Sequence, residues 1–281
     1  MFQHLSIIRT ISAITIILAS AFANAQASGI CMDPMHDNDI CQRMRHLKAT
    51  INGVDAQRDL VVINYPYMEA LAANMRENGS AMLQHLEDSN SSHAKGIRNL
   101  VFLATQMQQT AIDKDPETFT RANLIRNNCM TCHAADNPTS GVKWNEVFKR
   151  DWAQITVGCN SEGRNPYLCK SMNGMVTAYG QMITAYVAGI TDYRLTEMSS
   201  LEVVRILQSL KMNNYVHMQE DIRKEAEDRA TEIAALAKAQ NPEVFEKSFE
   251  LPNSCMHCHE SIGGSGMGNN FNKFPSLGHR L

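Results

Sequence analysis

Cys129-Met130-Thr131-Cys132-His133 returns 126 residues later as Cys255-Met256-His257-Cys258-His259. The pairing extends upstream, where Pro116-Glu117, Phe119 and Asn127 have counterparts in Pro242-Glu243, Phe245 and Asn253 at the same offset. Further back, Cys31 and Cys41 are ten apart, as are Cys159 and Cys169, and there the offset is 128, so the second unit is two residues shorter in between. Self-similarity at a fixed period is the mark of one folding unit present twice. The architecture of one copy therefore dictates that of the other.

Two thiols three positions apart, with a histidine directly after them, have the spacing that joins one porphyrin to a chain. The thiols add to its two vinyl groups and the histidine takes the iron from one side. Cys129 and Cys132, then Cys255 and Cys258, are thus the expected attachment residues for two covalently bound haem c groups, with His133 and His259 as iron ligands. Structural zinc needs four closed ligands at short spacing. No second Cys/His pair lies near either motif, and His257 adds a single nitrogen. A redox dithiol calls for a βαβ setting, whereas the flanks here read as helical and charged.

Each copy reads as four amphipathic helices, giving an all-α fold of two tandem four-helix bundles with a haem near the end of each fourth helix. In the first helix, Ile40, Met44, Leu47, Ile51 and Val54 recur at helical spacing, matched by Leu168, Met172, Met175, Tyr179, Met182 and Tyr186. Such a stripe covers one helix face and implies burial. Second helices are expected over about 66–86 and 199–212. The third carries Ile97, Leu100, Val101, Ala104, Met107 and Ala111 in one copy and Ile222, Ala226, Ile233 and Ala237 in the other. The charges between Glu220 and Glu232 read as its solvated face. The fourth starts at Pro116 or Pro242, since proline suits a first helical turn.

The 281 residues begin with a targeting segment. His4 and Arg9 lead into an apolar run ending at Ala23-Asn24-Ala25, too short for a permanent span and suited to cleavage. Residues 1–25 are read as a signal peptide, 26–137 as the first cytochrome-like domain and 138–157, near Trp144 and Trp152, as a linker. A second domain follows over 158–262, then a flexible tail over 263–281. Export to the periplasm with no membrane insertion of the mature chain follows from this reading. The chain has 26 basic and 29 acidic side chains, and losing Arg9 with the signal leaves it more acidic. That balance excludes the basic stripe of a nucleic-acid binder and favours a basic partner.

A helical bundle with Cys-x-x-Cys-His close to its C-terminal end resembles the class II cytochromes c, the cytochrome c-prime family and its low-spin relatives. The resemblance covers nearly the whole mature chain, taken twice. It implies an antiparallel bundle with haem at one end. The low-spin relatives complete the iron with a methionine from the first helix, and Met44 and Met172 match that position, each three residues after the second cysteine of its pair. Methionine on an apolar stripe is usually core filling, and the chain has 17 of them. Met44 and Met172 are singled out by satisfying both the internal repeat and the family position.

The equal spacing favours disulfides Cys31–Cys41 and Cys159–Cys169 over cross-copy pairings, in keeping with an oxidising compartment. No acid–base or nucleophilic constellation appears elsewhere, so no catalytic residues are assigned. The expectation is a periplasmic dihaem electron carrier, not an enzyme, working between periplasmic or membrane-bound redox proteins as donor and acceptor, with oligomerisation left open. The competing expectation is a five-coordinate, cytochrome c-prime-like protein that binds or detoxifies nitric oxide or carbon monoxide. A dihaem peroxidase fits less well, because its motifs sit early in each domain.

Overall fold

The computed structural model describes residues 38–86, 90–136, 166–187, 191–212, 220–254 and 257. The segments expected as signal peptide (1–25), linker (138–157) and tail (263–281) lie outside the described residues. Among the described residues the chain is all-helical, without strands, and no helix is long and apolar enough to cross a membrane. The first four helices are α1 (Asn38–Asp59), α2 (Tyr65–Gln84), α3 (Ser92–Ile112) and α4 (Glu117–Asp136). The second four are α5 (Pro166–Val187), α6 (Tyr193–Met212), α7 (Glu220–Lys238) and α8 (Glu243–Ser248).

Local chemistry sets the helix starts, and it repeats. Asn64 caps α2 by accepting from the Tyr67 N–H at 3.2 Å, and Asp192 caps α6 by accepting from the Leu195 N–H at 2.8 Å. A short polar side chain here satisfies one of the orphan N–H groups of a first turn. The α3–α4 and α7–α8 turns are copies of each other. Lys114 and Gln240, 126 residues apart, carry positive φ values of 56° and 53°. Just after them Asp115 and Asn241 accept from the Glu117 and Glu243 N–H groups at 2.8 and 3.0 Å.

The periodicity identifies most of the core, with two differences. In α7 the position equivalent to buried Ile97 is held by Arg223, itself buried and ion-paired to Glu227, while Ile222 is only half-buried. An arginine stem is apolar enough to line a core when its head is paired one turn away. The second helix of copy two begins at Tyr193, six residues before the predicted Ser199, because the Asp192 cap starts it there.

The fourth helices differ. α4 is continuous through its cysteines, whereas α8 stops at Ser248 and helical backbone resumes at Leu251. Pro252 is the cause. A proline ring collides with the carbonyl four residues earlier, here that of Ser248, and has no N–H to donate to it. Arg126 holds the equivalent place in α4 and ion-pairs with Asp55.

In the first copy α2 packs on α3 and α3 on α4. α1 joins α2 through Arg43, which donates to Asn78 at 3.2 Å, and joins α4 through Arg58, which donates to Asn123 at 2.9 Å. In the second copy α5 packs on α6, α6 on α7, α7 on α8, and α8 returns to α5. From Gln42 onward both copies belong to one compact unit.

α2 meets α6 across the boundary between copies. There Asn64 donates to Glu202 at 2.7 Å and Asn74 donates to Asp192 at 2.6 Å. Asn64 corresponds to Asp192 and Asn74 to Glu202 at the offset of 128, so each cap residue bonds to the mid-helix residue of the other copy. This is the reciprocal contact pattern of a two-fold interface, made within one chain. α1 and α5 meet beside it at Gly53 and Gln181, themselves repeat mates, where a Cβ on Gly53 would stand 3.2 Å from Gln181 Nε2. Glu202 is fully buried and also accepts from Gln57 at 2.6 Å and from Arg205 at 2.6 and 2.7 Å. A buried carboxylate is tolerated because donors satisfy it on both oxygens.

Candidate haem-attachment site

Cys129 and Cys132 lie one turn apart near the C-terminal end of α4, both half-buried and neither bridged. α3 approaches them through a ladder of contacts. Asn128 donates to the Gly96 carbonyl at 2.9 Å, and Asn99 donates to Asn128 at 2.8 Å. A Cβ on Gly96 would come within 3.0 Å of Cys132 Sγ, so the glycine is what lets α3 pass the second attachment cysteine. A glycine inside a helical pattern is a signal of such close approach, and it was legible, though not singled out, in the sequence.

Burial, and next to it the neighbouring Cys132 thiol, push the Cys129 thiol up to about 12. A dithiol working by exchange is activated the opposite way, by a lowered thiol pKa. The Cys129 sulfur is therefore a neutral thiol, one helical turn from Cys132, in a pair with the spacing that thioether attachment uses.

The helix register brings the candidate methionine of copy one to the same end of the fold. α1 and α4 run antiparallel, with Asp55 beside Arg126 and Arg58 beside Asn123. Met44 precedes Asp55 by eleven residues, so it lies towards the end of the fold that carries the C-terminal end of α4. Met44 and Met172 are both half-buried. Met68, Met75, Met82, Met107 and Met182 are fully enclosed instead. The two candidate ligands are thus set apart from the methionines that fill the core.

The backbone of His133 continues α4, while its side chain lies outside the described residues, as do Cys31, Cys159, Cys255, Cys258, His259 and the side chain of Cys41. Cys169, on α5, is disulfide-bonded. His257, between the second pair of attachment cysteines, is exposed, with Nδ1 3.7 Å from Glu225 Oε2. Among the described residues no three His, Cys, Asp or Glu side chains gather as a metal site.

Two features escaped sequence reasoning. His46, two residues after Met44, is completely buried, and neither ring nitrogen has a hydrogen-bond partner. Burial lowers its pKa to about 4, against the pull of Asp192 and with the push of Arg43. Its helix position is that of Gly174 in copy two, so the repeat gave no warning of it. A cavity of about 240 Å³ lies between α1 and α5, lined by Asn52, Asp55, Asp59, Lys170, Asn173 and Gln181 among others. It sits on the boundary between copies.

No family model matches the chain, and neither the curated proteins nor the solved structures contain a match to it. The site's chemistry therefore rests on its own residues.

Proposed function

We propose that the chain is a periplasmic dihaem electron carrier built as two tandem four-helix bundles of the class II cytochrome c type. The observation that carries this reading is the convergence at one end of the first copy. Gly96 of α3 lies against Cys132 of α4 there, and the antiparallel register of α1 on α4 runs Met44 towards that same end. In this reading Cys129 and Cys132 hold one haem c, and Cys255 and Cys258 a second. His133 and Met44 would ligate the first iron, and His259 and Met172 the second. Bound haem supplies a one-electron ferric/ferrous couple, and methionine ligation raises its potential relative to two histidines.

The chain's own part is to hold and shield. The α3–α4 ladder fixes the attachment helix so that both thiols lie along one helical turn. A disulfide at Cys169 tethers the start of α5 one residue before the turn that carries Met172, supporting a fixed ligand in copy two. Rigid ligation from both sides keeps reorganisation small and leaves no open iron position for a substrate.

The rival, gas binding at an open iron, gains some support from one place only. In copy two the Pro252 break stands three residues before Cys255, so the helix is interrupted on the way to the second motif where α4 is not. Spectra of the purified protein test both readings. Two haems per chain, low-spin bands, a methionine-to-iron band lost in Met44→Ala and Met172→Ala, and no response of the reduced form to carbon monoxide support the carrier. One equivalent of carbon monoxide bound would make copy two a gas site, and absence of covalent haem would overturn both readings.

A further inference from the structure

The duplication allows the surfaces beside the two attachment motifs to be compared position by position, because exposure along α3 and α7 follows the 126-residue offset. The exposed positions Lys95, Arg98 and Phe102 of α3 correspond to exposed Asp221, Lys224 and Asp228 of α7. α3 carries two cations and no acid, Lys95 and Arg98, and neither has an ion-pair partner among the described residues. α7 carries six acidic and four basic side chains, and Lys224, the one cation at these three positions, is held by Asp228 at 2.6 Å.

The apolar part of the face is equally one-sided. Phe102 is 58 % exposed and Leu124 40 %. They lie between two α3–α4 bridges, Asn99 to Asn128 at 2.8 Å and Arg121 to Gln106 at 3.1 Å, so they sit side by side where the helices meet. Gly96 against Cys132 is the next contact beyond Asn99 and Asn128. Phe102 is therefore six residues, about 9 Å, along the helix from the attachment cysteine's level. Met130, inside the motif, is 43 % exposed. In copy two Phe102 becomes Asp228 and Leu124 becomes Glu250, which pairs with Lys247 at 3.2 Å.

From this contrast, and resting on the electron-carrier reading, we infer that the α3–α4 face of the first copy is the docking surface for an acidic redox partner, which the acidic α7 face of the second copy excludes. An apolar centre with unpaired charge at its rim is the make-up of a protein interface. Charge complementarity steers the encounter and rejects a like-charged partner. The net acidity of the whole chain favours a basic partner, but a docking partner meets the local face. The two haems would then serve partners of opposite charge, giving the molecule an acidic-partner end and a basic-partner end.

The test titrates the haem-loaded, ¹⁵N-labelled protein at low salt with an acidic blue-copper protein as probe, after counting covalent haem. The expected result is amide shifts confined to the exposed positions of 95–105 and 121–131. A Lys95→Glu/Arg98→Glu double variant should weaken binding by about tenfold or more, and added salt should weaken it in the parent. Because both side chains are exposed, the helical circular dichroism of the double variant should equal the parent's. Shifts on α7, shifts on both copies, no shifts, or unchanged affinity in the double variant would overturn the docking assignment while leaving a two-haem protein and its carrier role intact. A count of no haem would instead remove the carrier reading and this inference together.

Discussion

Gly96 and Cys132 are in such close contact that the first carbon of any side chain at 96 would stand 3.0 Å from the cysteine sulfur. Gly96→Val is expected to push α3 off α4 at the attachment turn, at about 1–3 kcal/mol for overpacking, and to lower haem occupancy at the first copy alone. Ile222→Gly, at the equivalent place in copy two, should leave occupancy unchanged. Haem per chain by pyridine haemochromogen distinguishes the two variants. Equal occupancy in Gly96→Val and the parent would mean that the gap plays no part in attachment.

Glu202 gathers Gln57, Asn64 and Arg205 around one buried carboxylate. Glu202→Ala leaves those donors unsatisfied, and Arg205 loses its counter-charge, so a loss of about 3 kcal/mol in urea unfolding is expected. Glu202→Gln keeps one acceptor and should lose less. Equal losses would show that the carboxylate's charge, not its shape, is what matters at this point of the interface.

His46 is neutral in the fold, its pKa held down to about 4 by burial while Asp192 pulls it up and Arg43 pushes it down. Because the folded pKa lies below the unfolded value, the unfolded chain takes up the proton first as pH falls. Stability is therefore intact above about pH 6.5 and drops towards pH 4, by up to ~3 kcal/mol. Equilibrium unfolding of His46→Leu over the same range should show a shallower slope than the parent. Parallel slopes would remove His46 as the source.

Lys114 and Gln240 sit in the left-handed region that side chains avoid. Lys114→Gly and Gln240→Gly should each stabilise the chain, by about 1 kcal/mol, since glycine has no Cβ to crowd the following carbonyl. Thermal melts of the two variants should rise alike, as the turns are copies.

The repeat and the helix count per copy were legible because each is a matter of spacing. What depended on competing local terms was harder. The α6 start was missed because the Asp192 cap, not the hydrophobic stripe, sets it. Hydropathy favoured Ile222 for the core, while the geometry chose Arg223, whose charge is neutralised one turn away by Glu227. Pro252 was plain in the sequence, and its collision with the Ser248 carbonyl breaks a helix that the repeat alone would have continued. The reciprocal bonds between copies lie 118 and 138 residues apart, and no periodicity within either copy encodes them.

Those reciprocal bonds also determine which halves can recognise each other. Where copy one supplies Asn64 and Asn74, copy two supplies Asp192 and Glu202. A pair of second copies would set Asp192 against Glu202, carboxylate against carboxylate, at both crossings, whereas the mixed pair sets an amide donor against a carboxylate each time. An ancestral self-association of like units would have had to satisfy every position twice with the same residue. Joined in one chain, the halves have become lock and key, so a second copy is steered towards a first copy and away from pairing with its own kind.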